Sequence, residues 1–133
     1  MSGVDWSRLR DEALAVAQRA YAPYSHLRVG AAALTESGRT VAGCNVENAA
    51  YPVGTCAEAG LVAGLHAGGY ERLVAVATWS PDVPDAPLMP CGACRQILFE
   101  AGGAELRVAH GDGNRRLADL LPDAFGPDDL PAS

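Results

Sequence analysis

Basic charge is what this chain most lacks: ten Lys and Arg residues stand against sixteen Asp and Glu, a formal net charge of -6 over 133 residues. Nucleic-acid binders display a basic stripe that tracks phosphates, so a free small molecule is the expected partner, with no nucleic acid. Long apolar runs are missing too. None approaches the roughly 20 residues that a bilayer crossing requires, and no amino-terminal segment joins basic charge to an apolar run as a signal peptide does. The expectation is a soluble cytoplasmic protein without membrane contact. There is no repeat and no low-complexity segment, and with 49% hydrophobic residues the length fits one globular domain with its own core.

Cysteine is present in a telling number and arrangement. In a reducing compartment four cysteines are more naturally metal ligands or free thiols than disulfides. Three of them fall in two short motifs, Cys56-Ala57-Glu58 and Pro90-Cys91-Gly92-Ala93-Cys94. Three protein ligands leave the fourth tetrahedral position of a zinc ion open, which separates a catalytic site from a structural one. Glu58, two residues after the first cysteine, is placed to carry the proton of an attacking water. This layout, with His or Cys as the first ligand, is the signature of zinc nucleobase deaminases.

Periodicity places the motifs. Apolar residues from Trp6 to Tyr21 recur at helical spacing, predicting a helix over Asp5 to Tyr21 that Pro23 ends. Val29 to Leu34 and Thr40 to Asn45 flank Glu36-Ser37-Gly38 and read as a hairpin. Thr55 to Ala67 reads as a helix stopped by Gly68-Gly69, and Leu73 to Trp79 as a strand buried on both faces. A proline-rich loop (Asp82 to Pro90), a helix (Cys91 to Ala101) and a strand (Leu106 to His110) follow, with a turn expected at Asp112-Gly113-Asn114. The tail from Pro122 is expected to lie over a surface instead of forming an element. This order suggests an α/β fold, a mixed sheet with helices on both faces. The ligand motifs then begin two helices, whose N-termini favour thiolate over thiol, and Cys91 and Cys94 at i and i+3 share one helix face.

Six ordered blocks carry a resemblance along nearly the whole chain: Pro23-Tyr24-Ser25, Val29-Gly30-Ala31-Ala32, Gly43-Cys44-Asn45-Val46-Glu47-Asn48, Cys56-Ala57-Glu58, Pro90-Cys91-Gly92-Ala93-Cys94-Arg95-Gln96 and Leu121-Pro122-Asp123-Ala124-Phe125-Gly126. In these the sequence resembles the small homotetrameric zinc-dependent cytidine deaminases. The resemblance implies a single domain over residues 1–133, a three-layer αβα sandwich with a mixed sheet of about five strands, one Zn2+ per chain, and a homotetramer acting in pyrimidine salvage. It implies zinc ligation by Cys56, Cys91 and Cys94, proton transfer by Glu58, ribose binding by Asn45 and Glu47, and a Tyr51 and a Phe125 that reach a neighbouring subunit's site. Two positions depart from the family pattern. Ala59 stands where many relatives carry an arginine that offsets thiolate charge, and Leu27 where they tend to place a phenylalanine beside the pyrimidine. Arg95 and the helix termini then remain as positive influences on the thiolates.

Residue type alone leaves other roles open. Thr55-Cys56-Ala57-Glu58 also spells a capping box. Cys44 could close a four-cysteine structural site, giving a non-catalytic zinc-stabilised module, or be a buried apolar thiol. Asn45 and Glu47 could shape a turn, Tyr51 and Phe125 could pack at an interface, and Arg95 could be a solvated helix residue or a thiolate partner. His26, His66 and His110 lie outside the motifs. The resulting expectation is hydrolytic deamination of cytidine and deoxycytidine to uridine and deoxyuridine with release of ammonia. Leu27 keeps open another cytosine-bearing nucleoside, such as a nucleoside antibiotic.

Overall fold

In the computed structural model, which describes residues 3–131, the Asp5 side chain accepts a hydrogen bond from the Arg8 backbone N–H (3.0 Å) and so starts the first helix. Helix α1 spans Trp6–Ala17 and buries Leu9, Ala13 and Ala17. It stops short of Tyr21 because the Tyr21 backbone has another partner. Its N–H donates to the Asn45 carbonyl (3.0 Å) and its carbonyl accepts from the Glu47 N–H (2.8 Å).

Strands β1 (Gly30–Thr35) and β2 (Thr40–Cys44) form the expected hairpin, turning at Gly38, whose φ of +94° suits glycine alone. Strand β3 (Leu73–Trp79) lies antiparallel on the other side of β1, and β4 (Arg107–His110) runs parallel to β3. The sheet does not end there. Gly113–Arg116 forms β5, antiparallel to β4, so the expected turn moves to Gly111-Asp112 and the strand order is β2-β1-β3-β4-β5. A polar edge strand of Asn114, Arg115 and Arg116 carries no apolar alternation, and its charge guards an open edge.

Helices α2 (Ala57–Ala67), α3 (Gly92–Gly102) and the short α4 (Leu117–Leu120) pack opposite α1, completing a three-layer αβα sandwich. Side chains of adjacent strand residues point to opposite faces, which sorts the core in two. Ala32, Ala75, Ala77 and Ala109 meet Leu9 and Ala13 of α1. Ala31, Ala33, Val76 and Val108 meet Leu61, Leu65, Leu98 and Leu117 from the other layer. Each of those fully buried leucines is worth about 1.5–3 kcal/mol of transfer free energy.

Two glycines set how closely the helices approach. A Cβ on Gly30 would lie 1.9 Å from the Ala13 carbonyl oxygen of α1, and one on Gly43 would lie 2.4 Å from the Leu61 nitrogen and 2.6 Å from the Ala57 oxygen of α2. Gly43 thus lets the first turn of α2, which carries a ligand motif, rest directly on β2. The tail is held against α3: Gln96 Nε2 donates to the Phe125 carbonyl (2.7 Å), and Gly126 sits against the Phe99 ring. It does form one turn of 3-10 helix, Pro127–Asp129, where none was expected.

Gly43→Ala should therefore destabilise the fold by about 1–3 kcal/mol or more, as overpacking does. Thermal denaturation measures it, and an unchanged midpoint would mean that α2 does not depend on this contact.

Candidate active site

Beyond β2 the chain continues as a narrow ribbon between two partners. Val46 exchanges backbone hydrogen bonds with Thr55 (2.9 and 2.8 Å), while its neighbours Asn45 and Glu47 bind Tyr21. This pairing draws Thr55 out of the expected helix and leaves Cys56 as the N-cap of α2, with extended backbone and no side-chain capping bond. There is accordingly no capping box. Glu58, 4% exposed on the first turn, sends its carboxylate inward, where Oε2 accepts from Thr78 Oγ1 of β3 at 3.0 Å.

Cys91 is likewise the N-cap of α3, and Cys94 sits one turn on, 1% exposed. The sulfurs of Cys56, Cys91 and Cys94 all lie within 4.8 Å of one another. Zn–S bonds of about 2.3 Å at tetrahedral angles need sulfurs about 3.8 Å apart, so the donor set fits that ion. The thiols differ in acidity. The Cys94 backbone N–H lowers the pKa of Cys91, whereas burial raises that of Cys56 and, with the Glu58 charge adding to it, that of Cys94. Metal uptake here therefore releases protons and weakens as pH falls.

Cys44 takes no part. It pairs with Gly30, whose missing side chain faces α1, while neighbouring Gly43 faces α2, so the Cys44 side chain points to the face opposite the thiol cluster. Among the described residues the ligand-competent set is three thiols, and the closed four-cysteine alternative has no fourth member within reach.

A cavity of about 190 Å³ opens on the cluster, lined by Glu58, Thr78, Asn45, Val29, Leu88 and Met89 among others. Asn45 spends much of its hydrogen-bonding capacity on structure. Its Oδ1 accepts from the Val29 N–H (2.8 Å) and its Nδ2 donates to the Leu27 carbonyl (2.9 Å), leaving one amide hydrogen. Glu47 lines a separate cleft of about 350 Å³ with Tyr24, Ser25, Asn48, Tyr51 and Gly54. Its carboxylate accepts from the Ser25 hydroxyl and from the Ser25 and Tyr24 backbone N–H groups, which together hold it below the usual carboxylate range. Tyr51 meets Tyr24 edge-on with ring centres 5.8 Å apart, yet is 74% exposed; Phe125 is 59% exposed.

The structure places two of the expected site residues away from the partners read for them. Arg95 does not pair with a thiolate: its Nε donates to the Pro90 carbonyl (2.8 Å) and Nη1 to the Leu120 carbonyl (2.7 Å), so it braces the segment entering Cys91. Leu27 lines neither cavity and offers Asn45 only its carbonyl; Val29 is the apolar residue of that segment at the thiols.

Residues 5–110 match the family described as "Cytidine and deoxycytidylate deaminase zinc-binding region". The cytidine deaminase of Mycobacterium tuberculosis is 54% identical over 131 residues, covering 98% of this chain and 97% of that protein. Its crystal structure superposes with a TM-score of 0.89 at 52% identity, covering 93% of this chain and 99% of that one. The cytidine deaminase structure from Burkholderia pseudomallei gives 0.82 at 40% identity, covering 92% and 100%. The chain belongs to the zinc-binding cytidine and deoxycytidylate deaminase family.

For a member of this deaminase family the residues that sequence reasoning missed are Thr78, Leu88, Met89 and Val29 in its lining role. Only Thr78 gave a signal, as the one hydroxyl in the otherwise apolar run Leu73–Trp79. Among the described residues no helix is long and apolar enough to cross a membrane.

Removing Cys44 as Cys44→Ala should leave one zinc per chain, while Cys94→Ala should lose it. Metal analysis of the purified variants decides, and loss of zinc from the Cys44 variant would return that residue to the ligand set.

Proposed function

We propose that this protein catalyses the hydrolytic deamination of cytidine and deoxycytidine to uridine and deoxyuridine, releasing ammonia. The observation that carries the reading is the buried Glu58 carboxylate, tethered at one oxygen, in the same cavity as an open three-thiol site. A structural zinc site has no use for such a carboxylate.

Cys56, Cys91 and Cys94 would hold zinc, which would supply Lewis acidity to an attacking water near neutral pH. Glu58 takes a proton from that water as its oxygen bonds to C4 and passes it to ring N3; it then takes the remaining proton of the C4 hydroxyl and delivers it to the exocyclic amine as the C4–N bond breaks and C4=O forms. The atoms balance as one water consumed and one ammonia released. Val29, Leu88 and Met89 give the flat pyrimidine an apolar wall. Three thiolates give a divalent ion a net charge of minus one, which opposes acidifying the water. The N-termini of α2 and α3 supply offsetting positive potential, because Ala59 brings no charge and Arg95 is committed to carbonyls.

In this reading Asn45, through its remaining amide hydrogen, and Glu47 hold the ribose hydroxyl. Exposed Tyr51 and Phe125 complete the pocket of a neighbouring subunit in a homotetramer, and the enzyme works in the cytoplasm as one domain over residues 1–133.

Glu58→Gln should keep zinc and fold but lose ammonia release by at least about 10²-fold to 10⁴-fold, the range for acid–base residues. The assay uses cytidine, deoxycytidine and free cytosine, with cytosine expected to be the poor substrate. Near-normal turnover by the variant would remove Glu58 from the chemistry, and equal use of cytosine would remove the sugar contacts.

A further inference from the structure

The Glu58 carboxylate could rotate about its terminal bond, and a group that carries a proton between water, N3 and the amine must hold one orientation through all three transfers. Its one side-chain hydrogen-bond partner among the described residues is Thr78, with both residues 4% exposed and Oγ1 3.0 Å from Oε2. The hydroxyl sits in a strand that is apolar on both faces. Thr78 shares the α2-facing side of β3 with Val76 and is opposed across the ladder by Ala31, which presents only a methyl group. An apolar residue at 78 would leave a buried carboxylate oxygen without its donor.

The same residue also ties down an apolar part of the cavity lining. Its carbonyl accepts from the Leu88 N–H at 2.8 Å, which ties the loop that carries Leu88 and Met89 to the strand just before that loop enters Pro90 and Cys91. One residue therefore joins the proton carrier to the apolar wall and to the approach of a thiol ligand.

We propose that Thr78 is a positioning residue for the deamination, setting the orientation of Glu58 through its hydroxyl while its backbone fixes the Leu88–Met89 wall. The inference rests on the proposed role of Glu58. It separates two duties that mutation can separate: the backbone duty survives any side chain, and the hydroxyl duty survives only serine.

The test compares Thr78→Ser, Thr78→Val and Thr78→Ala, alone and in a Glu58→Gln background. Cytidine turnover, zinc content, thermal midpoint and calorimetric affinity for a pyrimidine nucleoside hydrated across C4 and N3 are measured for each. Expected is a fall in kcat of about tenfold or more for Thr78→Val with full zinc and a KM within about twofold, recovery in Thr78→Ser, and a parallel loss of affinity for the hydrated analogue. In the Glu58→Gln background the Thr78 changes should have no further effect, as a residue acting only through Glu58 requires. Wild-type kcat in a zinc-replete Thr78→Val, equal losses in Thr78→Ser and Thr78→Val, or additive losses in the Glu58→Gln background would overturn the proposal. So would loss of zinc or fold in both apolar variants, which would make Thr78 a packing residue. Failure of wild-type protein to deaminate cytidine would instead defeat the functional reading on which this one rests.

Discussion

Everything in this molecule depends on bringing three sulfurs from two helix starts to one point beside a central strand. Cys56 and Cys91 occupy N-cap positions with extended backbone, so each sulfur leaves the chain where it changes direction. Their convergence requires α2 to rest on β2 without an intervening side chain, which Gly43 permits, and α3 to follow β3 through a loop anchored at Thr78 and Arg28. Arg28 pairs with Asp82 at 2.8 Å, and that ion pair holds the Asp82 carboxyl down to about 2. The Gly43 contact and the Thr78 carbonyl act through backbone and the Arg28–Asp82 pair through side chains, none of them through the cysteines, so the packing around the ligands sets their geometry.

The cost of this arrangement is electrostatic. A carboxylate and two of the three clustered thiols line a small, largely apolar cavity, the third thiol is buried, and burial opposes ionisation of two of the three. A divalent cation resolves the conflict by replacing their protons, which couples metal binding to the charge state of the whole site. Helix N-termini and the Cys94 backbone N–H contribute the remaining favourable potential. The family to which the chain belongs is described by its zinc-binding region, and the three-thiol cluster is the part of this chain that answers to that description.

The layered order of helices and strands was legible because buried elements repeat on a period of 3.6 or 2, and the two cysteine motifs were legible because ligand spacing within one helix turn is a local property. What escaped was governed by partners distant in sequence. Helix α1 loses Tyr21 to the Asn45–Glu47 ribbon, and Thr55 leaves α2 for Val46, both through backbone pairing that no side-chain pattern announces. Strand β5 was hidden because an edge strand needs charge. Arg95 was read from its place beside Cys94, yet its long side chain reaches back to Pro90 and across to α4, and Leu27 was read from a family position, whereas the residue of that segment that lines this cavity is Val29. The standing of Cys44 followed only once its strand face was known.

Catalysis in this reading belongs to an open three-thiolate zinc site. Zinc removed by chelation and returned in measured increments, with cytidine loss followed by ultraviolet absorbance, tests it most directly. Metal-free protein should show no turnover, with a linear recovery that saturates at one zinc per chain. Undiminished turnover without metal, or full zinc occupancy with no turnover of any cytosine nucleoside, would contradict it.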